Sequence, residues 1–274
     1  MVSQHFICSK DAKLAAVAYW PPDAANNSSV ILTAGFSQPM CDVDYFMSKL
    51  ARTLCQHGFF VLQVDPRGHG DSSGNLEDVT LQSLYQDLEQ AIRYTILKSG
   101  IDKLYCVGRG ISATIFSVLS HIPEICGVIG INPFCISPSE CELLWDELML
   151  AKVEATNIFT GSDYIEYSDF DRQKIKFCDW LGALVYNLHG QILSTDILLD
   201  LRNYNSPEIL NKCQKDSLWI IYDKKDKCSV KTWDFSKDIT PLSVEHNDLG
   251  ILPRDPLWQH NAIMKICNWI NGVR

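Results

Sequence analysis

The stretch Asp65-Pro66-Arg67-Gly68-His69-Gly70-Asp71-Ser72 follows directly on a largely apolar run, Phe59–Val64. The apolar run predicts a buried strand, because aromatic and β-branched residues dominate it. The two glycines of the stretch permit a tight turn, and Arg67 is suited to fixing nearby carbonyl groups. We expect His69 to be part of the scaffold of this turn. The stretch therefore predicts a structured loop after an early core strand.

On both sides of this loop, apolar runs alternate with segments of helical periodicity. The predicted strands are His5–Ser9, Lys13–Trp20, Val30–Thr33, Phe59–Val64, Leu104–Val107, Cys126–Ile131, Ser217–Tyr222 and Leu242–Glu245. The predicted helices are Val43–Gly58, Leu81–Gly100, Ala113–Leu119 and Leu257–Ile270. Such alternation is typical of parallel strands joined by crossover helices. We expect an α/β fold with a mostly parallel central sheet and helices on both faces.

The alternation stops after Asn132-Pro133 and returns near Ser217, a gap of roughly seventy residues judged by the return of the strand pattern. We predict a cap inserted at residues 135–206, with helices at Leu143–Val153 and Asp179–Tyr186. Residues 1–134 and 207–274 would then form one core. A chain of 274 residues is long enough for a core with such an insertion.

The second informative segment is Gly108-Arg109-Gly110-Ile111-Ser112, between a predicted strand and a predicted helix. Together with the Asp65–Ser72 loop, it resembles the α/β-hydrolase superfamily, particularly its serine aminopeptidase and acyl-ester hydrolase branch. The resemblance covers nearly all of the chain outside the cap. In that superfamily a G-x-S-x-G turn carries the nucleophilic serine, because only small flanking residues permit the strained turn.

Glycine stands at the nucleophile position of this turn. Four apolar residues lead directly into Gly108, so the family's frame places Gly110 where the serine belongs. Glycine has no side chain with which to attack, and the acyl-enzyme mechanism is excluded at that position. A frame shifted by two residues would make Ser112 the nucleophile, although Ser112 also suits close packing of helix against strand. A further alternative is that Gly110 is an engineered replacement of a serine.

The remaining catalytic residues are implied by the resemblance. Asp226, shortly after the strand Ser217–Tyr222, matches the family's acid, and Asp223 is a near alternative. His246 matches the family's histidine, since it follows the last predicted strand and precedes the closing helix. The order of nucleophile position, acid and histidine along the chain is the order that this fold uses.

The resemblance also implies an oxyanion hole. Its expected donors are the backbone N–H groups of Phe36 and Ile111, and backbone donors survive side-chain substitution. The family often has histidine before the glycine of its oxyanion loop, whereas this sequence has Ala34.

Composition excludes several other classes of function. The chain has 24 basic and 33 acidic residues, a net charge of -9 and no Lys/Arg cluster, so we expect no nucleic-acid partner. The eleven cysteines do not have the spacing of metal ligands, so we expect buried thiols and no bound metal. Reduced thiols of this kind favour a cytoplasmic location. No apolar stretch is long enough to span a membrane. We expect no cofactor.

Three hypotheses for the function follow. The first is a non-hydrolytic member that binds an acyl- or ester-like small molecule or biosynthetic intermediate. The second is a repurposed enzyme, of lyase, isomerase, cyclase or acyl-transfer type, that uses the Asp226/His246 pair as a general base. The third is an active ester or thioester hydrolase that uses Ser112, or a serine that Gly110 has replaced.

Two further expectations concern context. The Asp65–Ser72 loop also resembles hydrolase-like proteins found with exosortase systems, which implies a role in making or exporting a cell-surface or secondary product. The closing helix and an edge strand offer surfaces for a homodimer.

Overall fold

The computed structural model describes residues 1–22, 27–36, 38–135, 139, 197, 200–201, 203–221, 238–241 and 256–272. Its strands are β1 (Val2–Ser9), β2 (Ala12–Tyr19), β3 (Ser29–Thr33), β4 (Phe60–Val64), β5 (Leu104–Arg109), β6 (Ile125–Ile131), β7 (Asp216–Ile221) and β8 (Asp238–Pro241). Its α-helices are α1 (Phe46–Gln56), α2 (Leu81–Ser99), α3 (Ile111–Leu119), α4 (Ser206–Asn211) and α5 (Pro256–Ile270). The α/β fold predicted from the sequence is confirmed.

The strands form one eight-stranded sheet in the order β1-β2-β4-β3-β5-β6-β7-β8. β2 pairs antiparallel with β1 and with β4, and every other pair is parallel. The chain passes from β3 to β4 on one side and then returns to β5 on the other side of β3. This reversal is a topological switch point, and ligands of such sheets bind outside the carboxyl ends of the strands there.

Helices cover both faces of the sheet. On one face α2 and α3 pack against Ile31 of β3 and Cys106 of β5. On the other face α1 and α5 pack against Val30 and Leu32. Burial on both faces explains why the parallel strands are almost continuously apolar. The core thus fixes the carboxyl ends of β3 and β5 side by side, in register from Ser29 with Leu104 to Thr33 with Gly108.

Helix α1 begins later than the sequence pattern predicted. The periodicity starts at Val43, but Val43–Tyr45 forms a separate 3-10 turn and the α-helix starts at Phe46. Asp44 and Tyr45 have φ values of 46° and 61°, which are incompatible with a right-handed helix. The predicted start is therefore wrong by three residues, because the backbone at Asp44 and Tyr45 leaves the right-handed helical conformation although the apolar periodicity continues through them.

The described strand β8 precedes the predicted last strand, Leu242–Glu245, which lies outside the described residues. The predicted cap helices, Leu143–Val153 and Asp179–Tyr186, also lie outside them. Within the predicted cap range, Ile197 and Leu201 are fully buried in the cluster that α2 and α3 form with the sheet. The end of the predicted cap is thus joined to the core, and the cap itself stays a prediction.

No helix in the described part of the chain is long and apolar enough to cross a membrane. Among the same residues, no group of three or more His, Cys, Asp or Glu side chains is arranged to hold a metal ion.

Candidate functional site

The turn between β5 and α3 has the sharp geometry predicted for it. Gly110 lies there with φ 58° and ψ −128°, a backbone conformation that strains any residue with a side chain. Its N–H donates to the Ile131 carbonyl at 3.1 Å, and its carbonyl accepts from the Phe134 N–H at 3.0 Å. These two bonds hold the turn against the end of β6. Gly110 therefore occupies a constrained position at the switch point of the sheet.

Two other glycines let α3 begin close to the sheet. A Cβ at Gly108 would lie 2.6 Å from the backbone nitrogen of Ala113 and 2.8 Å from the carbonyl carbon of Ser112. A Cβ at Gly130 of β6 would lie 2.5 Å from the indole of Trp219 and 3.1 Å from the Cβ of Ala113. A larger residue at either position would push the helix or its neighbours away. This is the physical reason for small residues around the turn.

The hydroxyl of Ser112 is bound to the segment that follows β3. It lies in the first turn of α3 and is 4% exposed. Its Oγ donates to the carbonyl of Ala34 at 3.0 Å, which ties α3 to the segment that follows β3. The hydroxyl thus has a structural partner inside the protein.

Arg109 binds the other end of the same segment. Its Nε lies 2.9 Å from Oδ2 of Asp42, and its Nη2 lies 2.6 Å from Oδ1. Both side chains are buried. Removing one member of a buried ion pair leaves an uncompensated charge and costs about 3–5 kcal/mol. Residues 34–42 are therefore fastened to the turn at both ends, by Ser112 at the start and by Arg109 at the finish.

The two predicted oxyanion donors belong to these fastened elements. Phe36 is buried in the segment after β3, and Ile111 is the first residue of α3. The first N–H groups of a helix have no partner within it. No described residue accepts a hydrogen bond from the N–H of Phe36 or Ile111. Both elements extend from neighbouring carboxyl ends of the sheet.

The loop after β4 contains a buried carboxyl group. Asp65 is 1% exposed, and its Oδ2 accepts from the N–H of Asp71 at 3.2 Å. Its Oδ1 has no hydrogen-bond partner among the described residues. Burial raises the pKa of Asp65 to about 7, although backbone hydrogen bonds from Asp71 and Met40 oppose the rise. A Cβ at Gly70 would lie 2.0 Å from Oδ2, so glycine is required beside this carboxyl.

Arg67 and His69 stiffen the same loop. Arg67 was expected to fix carbonyl groups, and this is wrong: its guanidinium binds the carboxylates of Asp87, at 2.9 and 3.0 Å, and of Asp11, at 2.8 Å. His69 is buried with its Nδ1 2.8 Å from the Arg67 carbonyl, so Nδ1 carries the proton. Its ring packs edge-on against Phe36 at 5.2 Å. Burial lowers the pKa of His69 and keeps the ring neutral.

The predicted acid and histidine lie outside the described residues, as does the alternative acid Asp223. The roles of Asp226 and His246 stay predictions. β7 pairs in parallel with β6, so its carboxyl end at Ile221 lies at the same edge of the sheet as Gly110.

The neighbouring carboxyl ends of β3 and β5, with the strained glycine turn between β5 and α3, mark the place where the α/β-hydrolase architecture has its ligand crevice. Residues 28–161 match the family model of the serine aminopeptidases, S33. No curated protein sequence matches the chain. The chain therefore has the α/β-hydrolase fold, as the sequence predicted, and it resembles the serine aminopeptidases over residues 28–161.

Several solved structures share this fold over their whole length. The α/β hydrolase GrgF from Penicillium sp. sh18 is 14% identical, with 98% of each chain covered and a TM-score of 0.67. Est1E from Butyrivibrio proteoclasticus, solved with ferulic acid bound, is 14% identical, with 98% of each chain covered and a TM-score of 0.65. A proline iminopeptidase from Mycobacterium smegmatis is 14% identical, covers 99% of this chain and 98% of its own, and has a TM-score of 0.62.

Proposed function

We propose that the chain is a non-hydrolytic member of the superfamily, whose crevice binds an acyl- or ester-like small molecule or biosynthetic intermediate. The observation that carries the proposal is Gly110 in the strained turn between β5 and α3. Hydrolysis in this fold needs a nucleophilic oxygen or sulfur at that position, and glycine supplies neither. The missing side chain also leaves room for a ligand to approach the backbone.

The framework around the turn supports binding. The Arg109–Asp42 ion pair and the bond from Ser112 to Ala34 hold residues 34–42 beside α3. Donors fixed in this way suit a carbonyl oxygen of an ester or acyl group. In this proposal the N–H groups of Phe36 and Ile111 bind that oxygen.

A second candidate is a repurposed enzyme that uses Asp226 and His246 as a general base. The observation in its favour is that no described acceptor uses the N–H groups of Phe36 and Ile111, so they are free to stabilise an oxyanion or enolate. The third candidate, hydrolysis by Ser112, is disfavoured by the bond of that hydroxyl to Ala34. A serine in place of Gly110 would restore the family's pattern.

Ligand binding and recovery test the proposal. The natural protein is titrated with a panel of unactivated alkyl and aryl esters, methyl ferulate among them, by calorimetry, and each ester is then recovered and analysed by chromatography. We expect saturable binding of at least one ester and its recovery unhydrolysed. Gly110→Ala serves as the matched variant, since its methyl group enters the vacated space and should weaken binding. Hydrolysis by the natural protein, or no binding across the panel, would contradict the proposal.

A further inference from the structure

Four side chains form a hydrogen-bonded cluster between the first hairpin and α2. Ser3 Oγ lies 2.7 Å from His5 Nε2, and His5 Nδ1 lies 3.0 Å from the hydroxyl of Tyr94. The indole Nε1 of Trp20 donates to Ser3 Oγ at 3.2 Å. Ser3 and His5 are two residues apart on β1, so their side chains share one face of the strand. All four side chains are half-buried, and solvent can reach them.

The hydrogen bonds in this cluster have defined directions. An indole N–H can only donate, so Ser3 Oγ accepts from Trp20 and keeps its own proton for His5 Nε2. Burial, followed by the positive charge of Lys98, lowers the pKa of His5, so the ring is neutral at pH 7 and can accept. His5 Nδ1–H then donates to the oxygen of Tyr94. A nucleophile bonded to a base, with a third group orienting the base, is the arrangement that activates serine.

This cluster is separate from the crevice at Gly110. Along the sheet, Ser3 pairs with Ala18 of β2, and the register continues through β4 and β3 to Cys106 of β5. Four strand spacings separate β1 from β5, or about 19 Å. Ser3 also lies level with the middle of β5, whereas Gly110 lies beyond its carboxyl end. The two sites therefore do not share a ligand pocket.

We propose that Ser3 is a second reactive nucleophile of this protein, which takes an acyl group from an activated aryl ester or thioester. Ser3 Oγ attacks the carbonyl carbon while its proton passes to His5 Nε2. The bond from that carbon to the leaving oxygen or sulfur then breaks, and the leaving group departs as a phenolate or thiolate or takes the proton. Ser3 is left as an ester. The charge of Lys98 favours the negative oxygen that develops.

Acylation by p-nitrophenyl acetate tests the proposal. The reaction is run in the Cys8→Ala background, because the exposed thiol of Cys8 would compete, and phenolate release is followed together with mass spectrometry of the tryptic peptide 1–10. We expect one acetyl group on Ser3, and none in that peptide in Ser3→Ala. His5→Gln should slow acylation about 100-fold or more, since general-base catalysis by a positioned histidine contributes that much. Tyr94→Phe should give an intermediate rate.

The control is Ser99→Ala, because Ser99 is also half-buried but its hydroxyl contacts the carbonyl of Ile96 instead of a histidine. This variant should react like the parent, and circular dichroism should show each variant folded.

The pH profile separates activation by His5 from a merely structural role. The charged and titratable groups at this position are Tyr94 and Lys98 of α2 and the Met1 amino group, which donates to the Trp20 carbonyl. The rate should rise with deprotonation of His5, with an apparent pKa below 6.5, and this titration should vanish in His5→Gln. Equal rates in the parent and His5→Gln, or acetylation only at residues other than Ser3, would overturn the proposal. These outcomes do not depend on the function of the crevice.

Discussion

The ion pair between Arg109 and Asp42 lends itself to a quantitative test. In Arg109→Met the aliphatic chain stays but the guanidinium is lost, and Asp42 remains buried without the three hydrogen bonds that Nε and Nη2 of Arg109 donate to it. The free energy of unfolding, from urea denaturation, should fall by about 3–5 kcal/mol. Asp42→Leu should lower the free energy of unfolding by a similar amount, because the buried guanidinium of Arg109 then loses this carboxylate. In the double variant no charge is left unpaired, so it should be more stable than either single variant.

A surface pair provides the control for that cycle. Arg93 and Glu89 form an i,i+4 ion pair on α2 in which Arg93 is 63% exposed. Arg93→Met should change stability by only about 0.5 kcal/mol, because solvent screens such pairs. Two results would refute the claim that the buried ion pair stabilises residues 34–42. One is a loss of stability in Arg109→Met no larger than that in Arg93→Met, and the other is a loss in the double variant equal to the sum of the two single losses.

Three further predictions concern stability and reactivity. The folded-state pKa of Asp65, about 7, lies above its ordinary value of 3.8, so its stabilising contribution is present at low pH and is lost as pH rises through 7. Asp65→Asn should therefore raise the melting temperature at pH 8 and have little effect at pH 4. A larger increase at pH 4 than at pH 8 would contradict the conclusion that burial raises the pKa of Asp65. Gly108→Ala should lower the free energy of unfolding in urea by about 1–3 kcal/mol, because its Cβ would collide with the backbone of α3. An unchanged free energy of unfolding would show that the first turn of α3 can shift to accommodate the methyl group. Iodoacetamide should modify exposed Cys8 rapidly and buried Cys106 only after unfolding, because burial shields Cys106 and raises its pKa. Mass spectrometry measures both rates, and equal rates would show that β5 opens readily.

The fold was predictable from the sequence because most of its strands are buried on both faces. β3, β4 and β5 appear as short apolar runs, and their boundaries differ from the predicted ones by only one or two residues. β1 was harder, since it is an edge strand in which buried and exposed residues alternate, and its start at Val2 is exposed. Aspartate tolerates the left-handed conformation better than most residues, but the residue type of Tyr45 gives no signal for the one that it adopts.

The candidate site was predictable only where its residues are neighbours in sequence. Gly108, Gly110 and Ser112 belong to one five-residue motif, and their spacing already indicates the turn. The partner of Arg109 is 67 residues away, and no local pattern links the two. A buried ion pair of this kind depends on tertiary contacts, which a single sequence does not reveal. Asp226 and His246 rest on the resemblance and on their order along the chain.

The central claim is that hydrolysis is prevented at position 110. It is tested most directly by fluorophosphonate labelling of the natural protein and of Gly110→Ser, with the label located by mass spectrometry in the tryptic peptide that begins at residue 110. We predict a label at position 110 in the variant and none in that peptide of the natural protein. A label on Ser112 of the natural protein, or a folded variant that stays unlabelled, would contradict the claim.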